Sequence, residues 1–104
     1  MARDYKAILQ KHIDALTGIL AKYNINTSQD YIEQYQRGFE EFNASTIFHA
    51  GHIGENIKKL HDDFKNLDSS IRWKQLAKLR DIAFHDYDSV NIDFGVFPFP
   101  GVKL

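Results

Sequence analysis

The sequence contains no cysteine and only two prolines among its 104 residues. Without cysteine the chain has no disulfide, no thiolate metal ligand and no cysteine nucleophile. No apolar run approaches the roughly 20 residues that a membrane span needs, and the charged N-terminal residues lack the apolar core of a signal peptide. We therefore expect a soluble, cytoplasmic protein that does not enter a membrane.

Neither sign of charge dominates the chain. It has 13 Lys and Arg against 14 Asp and Glu, for a net charge of −1. This balance argues against a polybasic nucleic-acid binder, but it is compatible with an enzyme that holds RNA through a local patch. The hydrophobic content of 43% is ordinary for a globular domain, and a chain of this length can bury one core.

Apolar residues at helical spacing predict the first half of the fold. A helix is expected over residues 4–23, with Asp4 at its start and His12 completing its apolar stripe. Gly18 lies inside this helix and is expected to admit a close neighbour. Thr27-x-x-Asp30 resembles a capping box and predicts the start of a second helix. Its core or interface residues are predicted to be Tyr31, Ile32, Tyr35, Phe39 and Phe42.

The second half of the chain predicts two more helices and an irregular end. A break at residues 43–45 is expected to precede a third helix over 45–64, in which Gly51 and Gly54 permit close helix approach. A fourth helix, containing Ile71 to Ala83, follows a polar link. The predicted fold is all-α, an up-and-down bundle of four main helices over residues 1–90. Residues 91–104 contain both prolines and are expected to pack irregularly on the bundle.

The segment from Arg80 to Tyr87 carries the residues best suited to chemistry. The planar donor fork of arginine matches phosphate, and histidine is the usual general acid or base. Arg80 and His85 together suit phosphoryl transfer, which needs no metal if a ribose 2′-hydroxyl is the nucleophile. The alternative is structural, since a histidine near a helix C-terminus often only complements the dipole.

Helix geometry constrains how Arg80 and His85 can meet. On one ideal helix their side chains point about 140° apart, whereas Arg80 and Tyr87 fall within about 20° of the same face. A shared site therefore requires the helix to end or bend between Arg80 and His85. Otherwise two protomers meet and each supplies part of the site.

Three segments in this order resemble the HEPN superfamily and, within it, the HepT-like toxins. They are Ile53-Gly54-Glu55-Asn56-Ile57, Ile71-Arg72-Trp73 and Arg80-Asp81-Ile82-Ala83-Phe84-His85-Asp86-Tyr87. Such toxins pair with an MNT-type nucleotidyltransferase antitoxin. The resemblance implies an all-α bundle that forms a homodimer and cleaves RNA without a metal or cofactor. It also implies a cleft where the arginine and histidine of both subunits meet.

The resemblance assigns roles to four residues. Arg80 and His85 match the ribonuclease pair of the family, and Asp81 matches the polar residue that follows the arginine. Tyr87 matches the tyrosine that the nucleotidyltransferase modifies with AMP, which silences the toxin. The chain departs from the family at Arg72, where proline is common. It departs again over residues 91–104, where a fifth helix usually follows.

Other functions remain open at this point. The chain could be a non-catalytic, nucleotide-binding or partner subunit of a nucleotidyltransferase, or a purely structural helical dimer. A metal site is a further candidate, because His49 and His52 are three residues apart on one helical face and Glu55 follows three residues later. The alternative for these three side chains is a solvated polar face.

Overall fold

The computed structural model describes residues 4–60, and within this range it contains three helices and no strand. They are α1 (Tyr5–Lys22), α2 (Ser28–Gln36) and α3 (Glu40–Lys59). α1 packs along α3, and the buried side chains of all three helices form one core. The all-α prediction is thus confirmed for this range. The predicted fourth helix, the boundary at residue 90 and the segment 91–104 lie outside it.

Helix α1 follows the prediction closely. The Asp4 carboxylate accepts a hydrogen bond from the Ala7 amide at 3.0 Å, which caps the N-terminus. Asn24 takes a left-handed conformation with φ of 58°, and the Ile25 amide returns to the Leu20 carbonyl at 2.9 Å. This is a Schellman ending, with asparagine where glycine is most common. The buried face consists of Leu9, Ile13, Leu16 and Leu20.

Helix α2 begins with the predicted capping box. The Thr27 hydroxyl accepts a hydrogen bond from the Asp30 amide at 3.0 Å, and the Asp30 carboxylate accepts one from the Thr27 amide at 3.2 Å. Aspartate therefore replaces the usual glutamate without loss of either bond. Two of the donors that a helix N-terminus leaves unpaired are satisfied in this way.

A buried hydroxyl pair joins α2 to α3. The Thr46 hydroxyl donates to the Phe42 carbonyl at 2.9 Å and lies 2.8 Å from the hydroxyl of Tyr31. Because the Thr46 proton is directed to the carbonyl, the Tyr31 hydroxyl is the donor of the second bond. Burial raises the pKa of Tyr31 above its usual value, so the phenol stays protonated and keeps donating.

The predicted break at residues 43–45 is wrong, because α3 runs through these residues without interruption. The chain turns earlier, at Gly38, which adopts the left-handed region with φ of 76°. Ser45 stays helical and donates its hydroxyl proton to the Glu41 carbonyl at 2.8 Å. Asn43 donates from its side-chain amide to the Tyr35 carbonyl at 3.0 Å and so ties α3 to the end of α2.

The earlier turn also corrects the predicted role of Phe39. Phe39 is the residue that precedes α3, and 55% of it is exposed, so it belongs to neither the core nor a helix interface within residues 4–60. Phe42 is only 1% exposed and lies against the rings of Tyr23 and Tyr31. Tyr31 and Ile32 are buried as predicted, and Tyr35 packs partly buried against the core.

None of the helices within residues 4–60 is long and apolar enough to cross a bilayer.

Replacement by alanine is expected to have opposite effects on stability at Gly18 and at Gly38. Among residues 4–60, a Cβ atom at either position would meet no atom within 4 Å, so the close neighbour expected at Gly18 is not found in this range and the backbone conformation decides the effect. Gly18→Ala is expected to raise the free energy of unfolding by about 0.5–1 kcal/mol, because alanine favours a helix interior. Gly38→Ala is expected to lower it by roughly 1–2 kcal/mol, because its φ is left-handed. Urea unfolding of the two variants measures both changes, and shifts of the same sign would contradict this account.

Candidate functional site

The four predicted site residues, Arg80, Asp81, His85 and Tyr87, lie outside the described residues. Their roles stay predictions from the sequence. Of the segments that carry the resemblance, the one beginning at Ile53 lies in α3, where its geometry can be examined.

The side chains of the motif segment that begins at Ile53 lie on two different faces of α3. Gly54 and Asn56 are buried, and Asn56 donates from its side-chain amide to the His52 carbonyl at 2.7 Å. Glu55 is exposed and pairs with Lys58 at 3.8 Å, a surface contact of small energetic value. The burial of Gly54 is compatible with the predicted close approach of a neighbour at that residue.

Helix α3 presents two opposed faces. At 100° per residue, its buried residues cover about 160° of the circumference. These residues are Phe42, Thr46, Ala50, Ile53, Gly54, Asn56 and Leu60. A groove runs along the opposite side, and we call it the outward face of α3. It is lined by Ala44, Ile47, Phe48, Gly51, His52 and Glu55.

The outward face is unusually apolar for an exposed helix surface. Phe48 is 55% exposed, and Ile47 and Gly51 are half-buried beside it. Ala44 and Gly51 have the smallest side chains on this face. Exposed apolar patches of this kind commonly mark a place where another molecule binds.

Three histidines meet where α1 and α3 pack, and we call them the imidazole cluster: His12 of α1 with His49 and His52 of α3. The Nδ1 atoms of His12 and His49 lie 3.0 Å apart, a hydrogen bond in which the tautomers decide the donor. The rings of His12 and His52 stack, with centroids 4.6 Å apart and planes within 7° of parallel. Phe48 lies with its centroid 4.6 Å from that of His52, inclined at 60°.

The surroundings of His12 and His49 favour neutral rings. Burial lowers the pKa of His12 below its usual value, and the charges of His52, His49 and Lys11 lower it further. Burial likewise lowers the pKa of His49, with His52 as the second cause. Desolvation and like charges both disfavour the imidazolium form. Both rings therefore favour the uncharged form more than a free histidine does.

The metal site considered for His49, His52 and Glu55 is not formed. Within residues 4–60 no group of three or more His, Cys, Asp or Glu side chains is arranged to hold a metal ion. His49 turns its Nδ1 toward His12, and His52 stacks on the same ring. Glu55 pairs with Lys58 instead.

Sequence reasoning did not find the imidazole cluster. It placed His12 on the apolar stripe of the first helix and considered His49 and His52 together with Glu55 as a metal site. The available signal was that His12 sits on the core-facing side of α1 without a polar partner in its own helix. That observation predicts a partner on another helix but does not identify which one.

The chain is similar to proteins named as ribonucleases. Residues 23–94 match the family described as Ribonuclease HepT-like, and this range includes all four predicted site residues. A candidate RNase of Methanocaldococcus jannaschii is 26% identical over 91 residues, which cover 88% of this chain and 71% of that protein. A probable ribonuclease HepT of Thermococcus cleftensis is 28% identical over 92 residues, covering 88% and 79%.

A shorter similarity points the same way. A candidate RNase of Caldanaerobacter subterraneus is 41% identical over 39 residues, which cover 38% of this chain and 35% of that protein. No solved structure matches the chain.

Proposed function

Since the chain belongs to the Ribonuclease HepT-like family, we propose that it is a metal-independent endoribonuclease toxin that acts as a homodimer. The observation that carries the proposal is that the family match spans the intact Arg80-x4-His85-x-Tyr87 motif. Relatives named as RNases align over 88% of the chain, which supports the same activity. The proposed substrate is RNA in the cytoplasm.

The proposed reaction is transesterification at an RNA phosphodiester. The ribose 2′-hydroxyl attacks the adjacent phosphorus, and a base removes its proton as the new O2′–P bond forms. The P–O5′ bond breaks, and the departing 5′-oxygen takes up a proton. His85 serves as the general base or the general acid. Arg80 binds the non-bridging oxygens and stabilises the charge that develops on them, and Asp81 orients Arg80 or His85.

A homodimer resolves the geometric problem of the motif. Arg80 and His85 point about 140° apart on one ideal helix, but in a dimer each subunit can contribute to one cleft. The outward face of α3 supports this assembly, because it exposes Phe48 beside the small residues Ala44 and Gly51. We propose that this face takes part in the contact between the two subunits.

Control of the toxin is proposed to act through Tyr87. A cognate MNT-type nucleotidyltransferase would transfer AMP to the tyrosine hydroxyl, forming a phosphodiester to the phenol oxygen and releasing pyrophosphate from ATP. The added phosphate and nucleotide would oppose RNA in the cleft by charge and by bulk. On an ideal helix Tyr87 lies within about 20° of Arg80 and two turns beyond it, so the modification would fall on the same face as the phosphate site.

The test of the proposed function is cleavage of an end-labelled RNA by the purified full chain in EDTA. We expect cleavage products that end in a 2′,3′-cyclic phosphate, and no cleavage of the same strand with 2′-deoxy sugars. A folded dimer that leaves RNA intact would overturn the proposal. A stable complex of that inactive dimer with a nucleotidyltransferase would instead indicate a non-catalytic partner subunit.

Replacement of Phe48 tests the proposed dimer contact. Phe48→Glu places a charge in the centre of the outward face and is expected to raise the dimer dissociation constant at least about 30-fold, the effect of losing a central apolar contact worth about 2 kcal/mol. RNA cleavage should fall with the dimer fraction. Light scattering after size-exclusion chromatography measures the mass.

Phe39 provides a matched control, since it is exposed to the same 55% but lies in the turn before α3. Phe39→Glu is expected to keep the dimer and the activity. If both variants stayed dimeric, the outward face would not be the contact.

A further inference from the structure

We propose that the imidazole cluster of His12, His49 and His52 is a proton-sensitive latch between α1 and α3. Neutral rings hold the two helices together, and the uptake of protons in mild acid weakens their packing. The latch is independent of the proposed ribonuclease chemistry, which rests on residues outside the described range. It is built across the α1–α3 contact, which joins the first described helix to the helix that carries the outward face.

The hydrogen bond between His12 and His49 limits how many protons the cluster can hold. Its Nδ1 atoms are 3.0 Å apart, so one of them must present a lone pair to the other. A first proton leaves the bond intact, because an imidazolium can donate to a neutral imidazole, although burial disfavours the charge on either ring. A second proton would leave two donors and two positive charges facing each other, and the bond would be lost.

The stack between His12 and His52 adds a second restriction. The two rings lie nearly parallel with centroids 4.6 Å apart, and like charges at such a distance repel one another. Phe48 packs edge-on to His52 with centroids at 4.6 Å. A shift of the His52 ring would therefore also change the packing of Phe48, the exposed phenylalanine of the outward face.

Among the described residues, the charged groups around the cluster do not offset this repulsion. On α1, Lys11 adds a further positive charge beside His12. On α3, Glu55 lines the groove together with His52 but forms its ion pair with Lys58. No carboxylate of residues 4–60 forms an ion pair with any of the three rings. Within this range, protons added to the cluster thus meet no counter-charge.

The sign of the pH dependence follows from the lowered pKa values of His12 and His49. In the unfolded chain both rings bind protons with the ordinary histidine pKa of about 6.5, whereas the folded cluster resists them. The stabilising contribution is therefore complete above about pH 6.5 and falls as the pH drops toward the folded-state pKa values. For each proton that the unfolded chain binds and the folded state does not, the folding constant falls by up to about tenfold for every unit by which the pH is lowered.

The first measurement is an NMR titration of the imidazole C–H signals in the full-length protein. We expect His12 and His49 to titrate below the ordinary histidine range. In His49→Asn the side-chain amide keeps a hydrogen-bond partner for His12 but removes one titrating ring, so the pKa of His12 is expected to rise. Wild-type His12 and His49 titrating at or above pH 6.5 would overturn the proposal, whatever the fate of the variant.

The second measurement is urea unfolding at pH 7.5 and pH 5.5. The folding constant of the wild type is expected to fall more between these values than that of His49→Asn, by a further factor of up to about ten. His61→Asn is the matched control, because it removes a histidine outside the cluster and is expected to keep the wild-type dependence. If the folding constant fell equally in the wild type and in His49→Asn, protonation of the cluster would not affect stability and the proposal would be overturned.

Discussion

Substitution of His85 by alanine is expected to lower the rate of RNA cleavage by about 10²–10⁴-fold, the usual contribution of one general acid or base. The proposed reaction must move a proton off the 2′-hydroxyl and onto the departing 5′-oxygen, and His85 is the motif residue that titrates near neutral pH. Without it, water must exchange these protons at neutral pH. Single-turnover cleavage of a labelled RNA in EDTA measures the change directly.

The control for this prediction is another histidine. His61→Ala removes the same kind of side chain from a position outside the Arg80-x4-His85 motif and is expected to cleave at the wild-type rate. Circular dichroism and light scattering should show that both variants stay folded and dimeric. A His85→Ala protein that cleaved RNA as fast as the wild type would remove His85 from the mechanism.

Truncation of Phe42 is expected to have the largest effect on stability among the described residues. Phe42→Ala should lower the free energy of unfolding by about 3–5 kcal/mol, because it deletes a buried ring and leaves a cavity. The ring is 1% exposed and packs against Tyr23, with centroids 4.8 Å apart, and against Tyr31 at 5.6 Å. A loss of this size is a large part of the roughly 5–15 kcal/mol that stabilises a typical domain.

Phe39 again offers the matched comparison, three residues earlier in the chain. Phe39→Ala removes the same ring from a position that is 55% exposed, so it is expected to change stability by less than about 0.5 kcal/mol. Urea unfolding followed at 222 nm gives both values. Similar losses for the two variants would mean that Phe39 is as well packed as Phe42, contrary to the structure.

Local signals in the sequence were sufficient for α1 and for the start of α2. Asp4 and the pair Thr27 and Asp30 make hydrogen bonds within four residues, so the pattern alone specifies them. The turn before α3 was misplaced because the polar run at residues 43–45 is typical of a loop. Its side chains instead bond to helix carbonyls at Glu41 and Tyr35. The stronger signal was Gly38, whose left-handed φ ends α2.

The residues of the two candidate sites lie at very different separations in the sequence. The imidazole cluster joins His12 to His49 across 37 residues, and no local pattern predicts which histidine of one helix meets which of another. The proposed ribonuclease pair was predicted differently. Arg80 and His85 are only five residues apart. Their predicted function came from their order after the Gly54-Glu55 and Ile71-x-Trp73 segments. Spacing alone left the structural alternative open.

The two opposed faces of α3 restrict how the length of this chain can change over evolution. One residue inserted or deleted within Glu40–Lys59 would turn everything beyond it by about 100°. Ile53 and Leu60 would then rotate out of the core, and polar positions would rotate into it. The turn at residues 37–39 is exposed throughout and carries no core side chain. Related chains should therefore differ in length at this turn and keep α3 free of gaps.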